Sequence, residues 1–73
     1  MSELIHIHAP KGHYIGQVRL YGHRKWQTVT GHCTRAELAM ADAVMHMSER
    51  HKRARVLFIA DWYEPNVVME CKR

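Results

Sequence analysis

The sequence predicts an α+β domain of two layers, an antiparallel-rich sheet of four to five strands packed on one helix. Three observations carry that expectation. Residues 4–9 and 13–21 alternate between two faces with the period of a strand. Good helix formers crowd the segment that follows Thr34-Arg35-Ala36-Glu37. The run RVLFIADW, from Arg55 to Trp62, is apolar on both faces, as a central, doubly covered strand is.

The elements follow in the order βββαβ(β). In LIHIHA, residues 4–9, Ile5, Ile7 and Ala9 share one face while Leu4, His6 and His8 share the other. Pro10, Lys11 and Gly12 break that strand. A second strand from His13 to Tyr21 sets Tyr14, Val18 and Leu20 against Ile15, Gln17, Arg19 and Tyr21. Gly22 with His23 suits a tight hairpin turn, and Lys25 to Thr30 returns as a third strand. Thr34 and Glu37 have the spacing of a capping box, in which each side chain satisfies a free backbone N–H at the start of a helix. That helix is expected to run to about His51. After the central strand, Glu64-Pro65-Asn66 signals a turn and VVMEC returns as a short last strand.

Stepping 100° per residue around the helix places Met40, Val44 and Met47 on a core line. Arg35, Asp42, His46, Glu49 and Arg50 make a narrow polar stripe. Leu38, Ala41 and Met45 extend the apolar surface beyond what one sheet needs. Either the sheet curls around the helix or the excess meets a partner, and methionines would make that surface adaptable.

Length and composition bound the function. Seventy-three residues, 1–73, are expected to form a single compact domain near the lower limit of a self-sufficient core. Such a chain has little room for a deep cleft. No apolar run approaches the roughly 20 residues of a membrane span. The start MSELIHIHAP lacks the basic and apolar regions of a secretory signal, so the expectation is a cytoplasmic protein with two free thiols. A net charge of +4 mildly favours polyanionic partners, either nucleic acid or an acidic protein surface, and seven histidines add to it on acidification.

Most of the distinctive chemistry lies between residues 19 and 26. Arg19, Tyr21, His23, Arg24, Lys25 and Trp26 lie in or beside one turn, and Arg53 and Arg55 precede the central strand. Cations neutralise phosphates and flat rings stack on bases, so their interleaving is what a nucleic-acid surface requires. The competing account is a charged hairpin tip that protects a sheet edge, with Trp26 in the core. At the other end, Trp62 and Tyr63 flank a turn, where aromatics either close a core or anchor a partner.

The pattern Y-x-x-x-V-R, G-x-R-K-W, T-G-x-x-T-R-x-E-x-A, from Tyr14 to Ala39, is similar to the strand–strand–helix DNA-binding arms of phage integrases and plant ethylene-response factors. That resemblance implies a sheet in the major groove, with Arg19, Tyr21, Lys25 and Trp26 facing DNA. It covers about a third of the chain, and the strands from Arg55 to Cys71 depart from it. The strand–helix–strand layout also looks like that of tiny phage proteins that inhibit host complexes by docking.

Metal and catalytic readings are weaker. His6 with His8, and Asp42 with His46, are spaced to chelate, and His32-Cys33 adds further ligand types. Yet no C-x-x-C pair is present and the two pairs fall on different layers, so no metal or cofactor is expected. Cys33 before a helix start is a weak nucleophile candidate without a cleft or a placed base. The expectation is therefore a non-enzymatic binding protein of phage or mobile-element type, taking nucleic acid on the hairpin and open sheet face. The alternative is a protein-docking module that modulates a host complex. It would use Leu38, Ala41, Met45, Trp62 and Tyr63, with a second copy of the chain, in a homodimer, as one partner open to it.

Overall fold

The computed structural model describes residues 12–61 and 63–72. These form β1 (Gly12–Leu20), β2 (Gln27–Thr28), α1 (Ala36–Met45), β3 (His51–Ala60) and β4 (Asn66–Lys72). The strands make one antiparallel sheet in the order β2-β1-β3-β4, with α1 on one face. This is the two-layer α+β architecture that the sequence predicts. The strand expected at residues 4–9, with His6 and His8, lies outside the described residues, as does Trp62.

The alternation in β1 sorts its residues as expected. Its even-numbered positions face the helix and its odd-numbered positions face away. Val18 and, across the ladder, Ala54 and Val56 are fully buried on the helix side. The helix meets them through Ala39 and Ala43, both fully buried, flanked by Met40 and Met47. Val44, expected in the core line, is instead 41% exposed. The reason is close approach. A Cβ on Gly16 would stand 2.7 Å from the Ala39 carbonyl oxygen and 2.8 Å from the Ala43 Cβ. Only small side chains allow a backbone-to-backbone contact this near, so the alanines take the centre and the larger residues are displaced to the flanks. Leu38, Ala41 and Met45 point away from the sheet, and Met45 is 83% exposed. The sheet does not curl around them.

The largest boundary differences from expectation fall at β2, at both ends of α1 and at the start of β3, and β1 opens at Gly12, one residue before its expected start. The segment from Lys25 to Thr30 pairs as a strand only at Gln27–Thr28. The Val29 N–H still donates to the Gly16 carbonyl at 3.0 Å, but the Gly16 N–H donates to Thr30 Oγ1 at 2.8 Å instead of a backbone carbonyl, and the ladder ends there. Gly22, at φ 81°, turns the chain as predicted, with the His23 N–H donating to the Leu20 carbonyl at 3.1 Å. The capping box does not form. Arg35 occupies the N-cap in an extended conformation without a side-chain cap, and Glu37 lies 3.7 Å from the Arg35 guanidinium. Because the helix begins one residue later than the motif requires, Thr34 and Glu37 fall out of capping register.

At the other end α1 stops at Met45 rather than His51. The Ser48 N–H donates to His51 Nδ1 at 2.9 Å, and the Arg50 N–H donates to the Ser48 hydroxyl at 3.2 Å. A serine that bonds its own neighbourhood competes with helix continuation. The residues released this way extend β3 back to His51, opposite Leu20. Arg53 and Arg55 are therefore strand residues, and Glu49 and Arg50 belong to the turn rather than to a helical stripe. β3 is central, as predicted. Its second face carries arginines as well as the buried Leu57, so it is not covered by apolar residues throughout.

Candidate nucleic-acid interface

The odd-numbered face of β1 and β3 is the candidate site. Cross-strand register places Arg19 directly opposite Arg53, and Arg53 opposite Lys72. One step along, Thr28, Gln17, Arg55 and Glu70 stand in a row across all four strands. Like charges facing each other across a ladder are destabilising. The structure relieves this by drawing the cations aside. The Arg19 guanidinium lies 5.0 Å from the Trp26 ring centroid, and Arg53 Nη1 donates to Glu70 Oε2 at 3.3 Å.

Arg55 is the most constrained of the group. Its guanidinium lies 4.1 Å from the Trp26 centroid, and its Nε donates to Gln17 Oε1 at 2.8 Å. Gln17 Nε2 donates in turn to Thr28 Oγ1 at 3.0 Å. Burial holds the Arg55 proton affinity below its ordinary value, Glu70 opposes that shift and Arg19 adds to it. A guanidinium remains charged at neutral pH under such a shift. Trp26 is half-buried here, against two arginines of the open face, rather than on the helix side.

Tyr21 lies just past the end of β1 and is 70% exposed. Its N–H donates to the Arg50 carbonyl at 2.7 Å, and Lys52 Nζ lies 4.7 Å from its ring centroid. His23, Arg24 and Lys25 are exposed in the loop that joins β1 to β2. The basic-aromatic set read from the sequence is thus gathered at one end of the sheet. Sequence reasoning did not single out Gln17, Lys52, Glu70 and Lys72. Period-two alternation extended along β4, with its register to β3, is the signal that would have found Glu70 and Lys72.

The other candidates separate. Tyr63 is exposed in the turn between β3 and β4, at the opposite end of the sheet from Arg19. Leu38, Ala41 and Met45 lie on the outer side of α1. His46 Nδ1 stands 3.8 Å from Asp42 Oδ1 on an exposed helix face. His32 stacks on His13, with centroids 3.7 Å apart. Among the described residues no three His, Cys, Asp or Glu side chains come together as a metal-holding group, and Cys33 and Cys71 are free thiols. No described helix is long and apolar enough to cross a membrane.

No protein-family model, curated protein or solved structure matches the chain. The functional reading rests on the geometry alone.

Proposed function

We propose that the protein is a small non-enzymatic binding protein that takes nucleic acid on the open sheet face and the adjoining loop. The observation that carries this reading is the row Arg19, Arg53 and Lys72 on three adjacent strands, with Arg55 one step away. A row of facing cations is costly to the isolated fold and becomes favourable against a run of phosphates. Arg24 and Lys25 in the loop extend the same charge outward.

The test is fluorescence anisotropy of labelled DNA and RNA at about 50 and 200 mM salt, with the Arg24→Glu/Lys25→Glu variant alongside. Binding is expected to weaken steeply with salt and to fall about tenfold in the variant, as two phosphate contacts are lost. Equal binding by the variant would remove the loop from the site. No binding at low salt would remove nucleic acid altogether.

A second reading is a protein-docking module, and one observation favours it. Leu38, Ala41, Val44 and Met45 leave an apolar surface on α1 that the sheet does not cover. Binding that survives high salt and is lost on Met45→Asp would support it.

A further inference from the structure

We infer that the site takes double-stranded nucleic acid by its phosphates, and that Trp26 serves as a platform for arginines rather than as a stacking surface for bases. This inference rests on the nucleic-acid reading above and names the substrate class. Surfaces that grip single strands draw much of their affinity from aromatic rings on which successive bases stack. Here the ring at the centre of the basic face is already in use. Arg19 and Arg55 both lie over Trp26, at 5.0 and 4.1 Å, so a base stacking on that ring competes with two guanidiniums for it.

Displacing Arg55 also breaks its bond to Gln17, which is itself held by Thr28. The chain Thr28, Gln17, Arg55 and Trp26 therefore fixes one cation in place through its Nε, and its terminal NH₂ groups take no part in that chain. A guanidinium fixed against a ring keeps its planar fork of N–H donors, which pairs with phosphate oxygens. Tyr21 is an exposed ring at this end of the sheet, but it lies beyond the end of β1, beside Lys52. An ordered set of cations, with the central ring engaged by two of them, matches a polymer whose phosphates face outward while its bases stay paired inside. That polymer is a duplex, bound with little dependence on sequence.

The experiment compares a labelled duplex of roughly 20 base pairs with its own single strand at low salt, by anisotropy on the unaltered chain. The duplex is expected to bind at least about fivefold tighter. A Trp62→Phe variant, which leaves Trp26 as the sole indole, then reports on the ring. Its fluorescence is expected to change little on saturation with duplex. Trp26→Ala should weaken duplex binding about tenfold, and Trp26→Tyr should restore most of it, because either ring supports a guanidinium. Circular dichroism confirms that each variant is folded, and the anisotropy comparison needs no variant. Tighter binding of the single strand, with strong quenching of Trp26, would overturn the inference while leaving the nucleic-acid reading standing. Absence of binding to either polymer overturns both.

Discussion

The two faces of β1 and β3 differ in kind although their residues alternate along the same backbone. On one side Gly16, Val18, Ala54 and Val56 meet Ala39 and Ala43 in a dry contact of small side chains. On the other, Arg55 bonds to Gln17, Arg53 bonds to Glu70, and Arg19 and Arg55 share the Trp26 ring. The first face has very little tolerance in distance, because a single added carbon would collide with backbone. The second tolerates rearrangement, because its partners are long side chains with water at hand. Stability should therefore be lost from one face and binding from the other, with little cross-talk.

The largest expected effect comes from Gly16→Val. Its Cβ would sit 2.7 Å from the Ala39 carbonyl oxygen, 2.8 Å from the Ala43 Cβ and 2.9 Å from the Thr30 Cγ2, forcing the helix off the sheet. We expect a loss of about 3 kcal/mol in urea unfolding, a large share of the stability of a domain this small. A variant as stable as the parent would mean that the helix does not rest on Gly16.

Arg19→Glu/Arg53→Glu should produce the reverse pattern. Nucleic-acid affinity is expected to fall about a hundredfold at low salt, while stability in urea falls by only about 1 kcal/mol, since the exposed Arg53–Glu70 ion pair and the Arg19–Trp26 contact are lost but a carboxylate at position 53 stands opposite Lys72. If the midpoint collapses as well, the two faces are coupled and the comparison fails.

Met45→Asp should have the smallest effect. The side chain is almost wholly exposed, so stability is expected to stay within about 0.5 kcal/mol. Sedimentation velocity sharpens the point. A species that becomes smaller on this substitution would assign the outer side of α1 to self-association.

Much of the candidate site was legible before the fold was seen, and its particulars were not. Alternation alone grouped Gln17 with Arg19 and separated them from Val18, because side chains on a strand point to opposite faces in turn. The glycine at position 22 announced the turn for an equally local reason, its freedom to adopt positive φ. The capping motif, in contrast, was correct as a pattern and unused as a device. A one-residue shift of the helix start, set by how the chain leaves Cys33 and its pairing with Tyr14, was enough to disable it.

By itself, then, the sequence determined the class of fold, the inward and outward sets on β1, and the basic character of the end around residues 19–26. These are consequences of backbone periodicity and composition, which act over a few residues. Only the tertiary structure decided that alanines rather than Met40 and Val44 meet the sheet at its centre, that the helix yields to β3 after Met45, and that Trp26 lies against Arg19 and Arg55. Each of those outcomes depends on which residues stand opposite one another across strands distant in sequence. Register is chosen by the packing of the whole domain, since one step of slippage would exchange every buried side chain for an exposed one.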